Sequence, residues 1–151
     1  MQDDYNLLLK QAEALIASES DIVAVTANLS ALLFNGLERI NWLGFYFLRD
    51  AELVLGPFQG NVACTRIPVG QGVCGTAFNN NETLIVDDVH LFDGHIACDA
   101  ASESEIVVPF SKGDIAGVLD VDSPHKSRFG DPELVLLEAV VALLVGDESD
   151  V

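Results

Sequence analysis

The sequence predicts a single α/β domain of the α+β type, in which helices from both ends of the chain pack on one face of an antiparallel sheet. Three observations favour this fold class. Apolar residues recur at helical spacing in the N-terminal part, short apolar runs between turn residues fill the middle, and helical spacing returns near the C-terminus. A length of 151 residues suits one core, so we predict one domain over residues 1–151.

Helices are expected before and after the strands in the sequence. Apolar stripes along residues 4–17 and 22–33 predict two amphipathic helices at the start of the chain. A final helix is predicted over 132–145, with Asp131 as its N-cap and Pro132 at the first helical position.

Short runs of aromatic and β-branched residues between turn residues predict the strands. The segments RDAE (49–52) and SKGD (111–114) are typical of hairpin turns, so each joins two neighbouring antiparallel strands. A Gly-rich turn, GQGVCG (70–75), is expected to precede a short helix. The predicted strands are 41–48, 53–57, 65–69, 83–86, 105–110 and 115–122.

An acidic segment without periodicity, residues 87–102, lies between two of these strands. It holds His90, His95 and Cys98. Loops of this length inside a compact domain are usually functional or disordered, and its histidines and cysteine favour function.

Three carboxylates are predicted to converge at one end of the sheet. Strand alternation puts Asp120 and Asp122 on one face, and Glu105 lies on the strand that the 111–114 turn joins to theirs. Like charges packed together raise the pKa of at least one carboxyl group, which could then donate a proton, while ionised neighbours could bind a substrate ammonium. Spacing alone leaves open the alternative that these are solvated acids at strand ends.

The three cysteines, Cys64, Cys74 and Cys98, raise the question of redox chemistry. Cys74 suits a small buried hydrophobe, although a position at a helix start could also lower its pKa. Cys98 lies in polar surroundings unlike a core cysteine, so it is the candidate reactive thiol, with adjacent carboxylates acting against its ionisation. With His95 the cysteines could supply four metal ligands, but their spacing is not that of structural zinc sites, and no metal site is predicted.

Trp42, Gly44 and Tyr46 share one face of the first predicted strand. Core packing is the default interpretation of such aromatic residues. A glycine between two aromatic residues would leave a gap of ligand size, and a tryptophan wall would suit a methyl group or a thioether. We therefore treat Trp42 and Tyr46 as candidate substrate-binding residues.

The composition disfavours several classes of partner. With 24 acidic residues against 7 lysines and arginines, the formal net charge of −17 would repel nucleic acid and anionic membrane surfaces. No apolar run approaches the length that spans a bilayer, and no signal peptide is evident, so a cytoplasmic location is expected.

A set of four segments between about Asn41 and Ser123 carries a family signal. They are NWLGFYFL, LGPFQGNVACTRIPVGQGVCGTA, DVHLFDGHIACDAASESEIVVP and GVLDVDS, in this order. Together they resemble the GAF-fold free methionine-(R)-sulfoxide reductases. The resemblance implies a GAF-like domain and an oxidoreductase that converts free L-methionine-(R)-sulfoxide, but not the protein-bound residue, to methionine. It also implies thioredoxin as external reductant, no metal or nucleotide cofactor and, since family members are often dimers, a homodimer as one assembly.

The resemblance also implies a role for each matching residue. Cys98 matches the nucleophile that attacks the sulfoxide sulfur and becomes a sulfenic acid, Cys64 matches the cysteine that resolves it as a disulfide, and Cys74 matches a third cysteine of secondary or alternative role. The residues that match those binding the substrate or activating its oxygen are Trp42, Glu105, Asp120 and Asp122. The substrate carboxylate needs donors, and our hypothesis is backbone N–H groups in the segment 72–75.

Two other functions fit parts of the sequence. A GAF domain that senses a small ligand would explain the fold and a pocket, but not three cysteines beside three acids, and it usually needs an output domain. A thiol-based redox sensor would keep Cys64 and Cys98 but would have no substrate.

Overall fold

A computed structural model describes residues 2–96 and 101–146, and the side chains from residue 4 onward in these ranges. The helices in these ranges are α1 (Gln2–Ser18), α2 (Ile22–Gly36), α3 (Gly72–Asn80) and α4 (Asp131–Leu144), with a 3-10 turn at Val89–Leu91. The strands are β1 (Trp42–Arg49), β2 (Glu52–Gly60), β3 (Arg66–Pro68), β4 (Leu84–Val86), β5 (Ser104–Lys112) and β6 (Ile115–Ser123). None of the described helices combines the length and the apolar character needed to cross a membrane.

The strands form one sheet in the order β3-β2-β1-β6-β5-β4, and every neighbouring pair is antiparallel. The two hairpins expected from the turn sequences are both present, as β1-β2 and β5-β6. The predicted α+β class is therefore confirmed, and β1 and β6 lie at the centre of the sheet.

The sheet separates two apolar clusters. On one face Leu43, Phe45 and Phe47 of β1 pack with residues of α1, α2 and α4. On the other face Trp42 and Tyr46 pack with residues of α3. The helices from both ends of the chain thus cover one face, as predicted, and α3 with its flanking segments covers only part of the other.

The start of α4 differs from the prediction. Its N-cap is Gly130 rather than Asp131, and Pro132 is the second helical residue. The carboxylate of Glu133 accepts a hydrogen bond from the Gly130 N–H at 2.7 Å and pairs with the buried Arg128 at 3.2 Å. Glu133, the third helical residue, thus satisfies the backbone N–H of the cap residue from inside the first turn, as the glutamate of a capping box does, while a glycine cap supplies no side-chain acceptor of its own.

Candidate active site

The register of the central strands brings the three predicted carboxylates together. Asp122 pairs with Trp42 on β1 and with Glu105 on β5, and Asp120 pairs with Gly44 on β1. Residues that pair across antiparallel strands project to the same face of a sheet. Glu105 and Asp120 are each only 6% exposed and Asp122 is 9% exposed. Burial rules out the alternative that they are solvated acids at strand ends.

Burial and crowding keep a proton within this cluster. The pKa of Glu105 is raised well above its usual value, first by burial and then by the charges of Asp120 and Asp122. Burial also raises the pKa of Asp120, although hydrogen bonds from Glu105 and Cys74 oppose that rise. Oδ1 of Asp120 is buried and has no hydrogen-bond partner among the described residues. The Glu105–Asp120 pair therefore retains a proton, and we expect Glu105 to carry it.

The raised pKa of Glu105 predicts how stability depends on pH. Between the ordinary and the raised pKa the folded state binds more protons than the unfolded state, so the free energy of unfolding falls as pH rises through this window. In denaturant titrations from about pH 5 to about pH 8, we expect wild type to lose more stability than Glu105→Gln. The exposed Glu82 offers a control, since Glu82→Gln should follow wild type. Parallel curves for wild type and Glu105→Gln would contradict this assignment.

Cys74 lies beside these acids, in the first turn of α3. The helix begins at Gly72, inside the segment predicted as a turn, and Gly72 itself takes a φ of +65°, which favours glycine. The thiol of Cys74 is free and buried, and its sulfur lies 3.9 Å from Oε2 of Glu105. Burial first, then Asp120 and Glu105, raise the pKa of Cys74 well above its usual value, which outweighs the effect of the helix start. This thiol remains protonated.

The aromatic wall beside the acids has no gap at Gly44, so that prediction was wrong. The Trp42 ring stacks on Phe58 of β2, with centroids 5.2 Å apart. A Cβ on Gly44 would lie 2.3 Å from Cβ of Phe58 and 2.8 Å from the Trp42 ring. Phe58 and the Trp42 ring therefore occupy the space over the glycine.

Gly44→Ala should accordingly destabilise the protein. The new methyl group would displace Phe58 and the Trp42 ring from the buried face of the sheet, and such overpacking typically costs about 1–3 kcal/mol. A denaturant melt would measure the loss. Ala51→Gly, at an exposed turn, is the control and should change stability much less than Gly44→Ala. Gly113→Ala would not serve as a control, because Gly113 has a positive φ that strains an alanine. A melt of Gly44→Ala equal to wild type would contradict the packing.

A cavity opens over these residues, between the sheet, α3 and parts of two loops that include Ala63, His95, Ile96 and Ser102. It contains the polar groups of Glu105, Asp120, Asp122 and Cys74. Burial, and then His90, lower the pKa of His95 at its edge, so that imidazole is neutral. The remaining lining residues are Trp42, Tyr46, Ala63, Ile67, Gly72, Val73, Ile96 and Ser102. Of these, Trp42 and Tyr46 were predicted site residues. The sequence did not single out the side chains of Ala63, Ile67, Val73, Ile96 or Ser102 as site residues, because no motif distinguishes them from other core or loop positions.

Two of the three cysteines, Cys64 and Cys74, lie in the part of the chain that the structure describes. Cys64 is half-buried, follows the cavity residue Ala63, and is disulfide-bonded. Cys98, the predicted nucleophile, lies outside the described residues. The predicted functional loop does reach the cavity through His95, Ile96 and Ser102.

One group among the described residues has the donors of a cation site. Cys74, Glu105 and Asp120 offer a sulfur and two carboxylate oxygens within 4.8 Å of one another. This group differs from the set of Cys64, Cys74, His95 and Cys98, whose spacing in the sequence does not predict a zinc site. The absence of a functional metal stays a prediction.

Comparison with known proteins places the chain in a family. The model of the GAF domain matches residues 18–145. Free methionine-R-sulfoxide reductase of Escherichia coli is 55% identical over 141 residues, covering 93% of this chain and 86% of that protein. Protein YtsP of Bacillus subtilis is 57% identical, covering 86% and 82%. The structure of the Staphylococcus aureus enzyme fRMsr in complex with substrate has a TM-score of 0.88 at 53% identity, covering 95% of this chain and 94% of that one.

Proposed function

Because this chain belongs to the GAF-fold family of free methionine-(R)-sulfoxide reductases, we propose that it reduces free L-methionine-(R)-sulfoxide to methionine in the cavity over β1, β6 and β5. It is an oxidoreductase of that family. The observation that carries the proposal is the buried cluster of Glu105, Asp120 and Asp122 beside the Trp42 ring. A sulfoxide oxygen needs a proton as its bond to sulfur breaks, and a buried neutral carboxyl group can supply one.

The acids have different tasks in this proposal. Protonated Glu105 donates its hydrogen bond, and then its proton, to the sulfoxide oxygen. Asp120 and Asp122 offer negative charge to the substrate ammonium, and the partnerless Oδ1 of Asp120 is one acceptor for it. The Trp42 ring packs against the methyl end of the substrate.

The redox steps use two cysteines. The thiolate of Cys98 attacks the sulfoxide sulfur and takes up its oxygen. The substrate sulfur gains two electrons and leaves as methionine, and Cys98 becomes a sulfenic acid. Cys64 then attacks the sulfenic sulfur, an S–S bond forms, and the hydroxyl group leaves with a proton as water. Thioredoxin supplies the two electrons and two protons that reopen the disulfide.

Two observations support Cys64 rather than Cys74 as the resolving cysteine. Cys64 is disulfide-bonded, whereas Cys74 is free. The pKa of Cys74 is also raised by its acidic neighbours, which leaves little of the thiolate that attack requires. Cys74 fits better as a neutral hydrogen-bond donor to the acids than as a nucleophile.

The substrate carboxylate would lie at the start of α3. Gln71 caps this helix without a side-chain hydrogen bond, so N–H groups of the first turn remain available, and the helix dipole favours an anion there. A Cβ on Gly75 would lie 2.5 Å from the Pro68 carbonyl, so substitution there would disturb packing as well as binding. A change in the substrate tests binding without disturbing the packing of the protein. With the carboxamide of methionine-(R)-sulfoxide, we expect KM to rise about 10-fold or more. An unchanged KM would contradict this placement.

The direct test of the reaction compares substrates under turnover. Thioredoxin, its reductase and NADPH are supplied with free methionine-(R)-sulfoxide, the free S diastereomer, or the R sulfoxide inside a peptide. We expect NADPH oxidation with the free R form alone, because the cavity must hold the ammonium and the carboxylate of a free amino acid. No turnover of the free R form would end the proposal.

A further inference from the structure

The segment that carries Cys64, residues 61–64 between β2 and β3, is only partly buried. Val62 is 88% exposed and Asn61 is also exposed. Ala63 and Cys64 are half-buried, and Ala63 lines the cavity. With so little of this segment in the core, hydrogen bonds to its backbone matter for its position.

Two such hydrogen bonds come from the aromatic wall of the cavity. The Tyr46 hydroxyl donates to the carbonyl oxygen of Cys64 at 2.8 Å. The Nε1–H of Trp42 donates to the carbonyl oxygen of Asn61 at 3.0 Å. The segment is thus attached at both ends to side chains of the central strand β1.

The two donors are themselves firmly placed. Trp42 and Tyr46 are each 2% exposed, and their rings stack with centroids 6.0 Å apart and planes at 28°. Trp42 also stacks on Phe58. Burial, and then the charge of Asp120, raise the pKa of Tyr46, so its hydroxyl keeps the proton that it donates.

We propose that Tyr46 and Trp42 are positioning residues for Cys64, in addition to forming the substrate wall. Both side chains line the cavity, and their polar groups hold the two ends of the segment 61–64, which carries the resolving cysteine. This inference rests on the proposed function and adds to it how Cys64 is kept within reach of the sulfenic acid. The rate of reaction between the Cys64 thiol and the sulfenic acid depends steeply on how the two groups are placed. Loss of one of these hydrogen bonds should therefore slow formation of the disulfide more than formation of methionine.

Tyr46→Phe tests this, since it keeps the ring and removes only the hydroxyl group. Reduced protein is mixed with one equivalent of free methionine-(R)-sulfoxide, and methionine and remaining thiols are measured in quenched samples. We expect the disulfide step, relative to the methionine-forming step of the same variant, to be about 3- to 10-fold slower than in wild type, as for the loss of one hydrogen bond. The sulfenic acid should accumulate and be trapped by dimedone. Tyr5→Phe, which removes a hydroxyl bonded to Glu133 in another part of the fold, should behave as wild type in both steps.

A second measurement needs no substrate. In glutathione redox buffers, the equilibrium between the Cys64 disulfide and its thiols should shift toward the thiols in Tyr46→Phe by about 3- to 10-fold, with circular dichroism confirming a folded protein. An unchanged equilibrium and an unchanged disulfide rate would overturn the inference. Equal slowing of both steps would overturn it as well, because the hydroxyl group would then act on the substrate. Failure of the proposed function looks different: wild type itself would form no methionine.

Discussion

Cys98→Ser should abolish methionine formation, because a serine hydroxyl cannot take the oxygen from the sulfoxide sulfur under these conditions. With excess dithiothreitol and free methionine-(R)-sulfoxide, we expect no methionine above the protein-free background. Substrate binding should survive, since Glu105, Asp120 and Asp122 remain in place, and isothermal titration would measure it. Methionine formation by Cys98→Ser would contradict the assignment of the nucleophile.

The other two cysteines provide matched controls for that result. Without a reductant, Cys64→Ser should form about one methionine per chain with the loss of one thiol instead of the two lost by wild type, because the sulfenic acid can form but has no resolving thiol. Cys74→Ser should continue to form the disulfide, since the buried Cys74 thiol is neutral and free. If Cys74→Ser instead lost only one thiol per methionine and formed no disulfide, Cys74 would be the resolving cysteine.

Glu105→Gln should lower kcat by about 10²- to 10⁴-fold, the usual contribution of a general acid. Glutamine has nearly the same shape and can still form a hydrogen bond, but it cannot transfer a proton to the sulfoxide oxygen. Steady-state assays with thioredoxin would measure the loss, provided that the first step limits turnover or is followed separately.

The same experiment has a pH dependence that separates chemistry from folding. Wild-type activity should fall at high pH as the shared proton is lost from Glu105 and Asp120, whose pKa values burial raises. Glu105→Gln should lack much of this decline. Asp114→Asn, at the exposed turn between β5 and β6, is a control for a change from carboxyl to amide away from the cavity and should leave both rate and pH profile unchanged. A Glu105→Gln variant with wild-type kcat would remove Glu105 from the mechanism.

The convergence of Glu105, Asp120 and Asp122 could be predicted because it follows from local sequence patterns. Strand alternation places Asp120 and Asp122 on one face, and a recognisable turn sequence fixes the neighbouring strand that bears Glu105. The burial of these three carboxylates could not be predicted from their spacing, because it depends on α3 and on loops that cover the same face of the sheet.

The prediction of a ligand-sized gap at Gly44 was wrong because the end of the second strand was predicted too early. The second strand was predicted to end at Pro57, but β2 continues to Gly60. Phe58 was therefore left out of the sheet, and it is Phe58 that fills the space over Gly44. A proline is tolerated where a strand makes few ladder bonds, and the β1-β2 register is irregular between Gly44 and Tyr46, close to this point.

The hydrogen bond from Tyr46 to Cys64 had no signal in the sequence. It joins residues on β1 and on the loop after β2, and it uses a backbone carbonyl, which any residue type could offer. Contacts of this kind depend on where a loop returns in three dimensions, and a single sequence does not encode that in a local pattern.

The central claim is that the chain itself transfers the sulfoxide oxygen, and one measurement tests it most directly. Fully reduced wild-type protein is mixed with excess free methionine-(R)-sulfoxide and no reductant, and methionine and free thiols are counted. The account predicts about one methionine formed and two thiols lost per chain, with Cys74 remaining alkylatable on unfolding, and none of this with the S diastereomer. No methionine from the R form, or methionine without thiol loss, would contradict it.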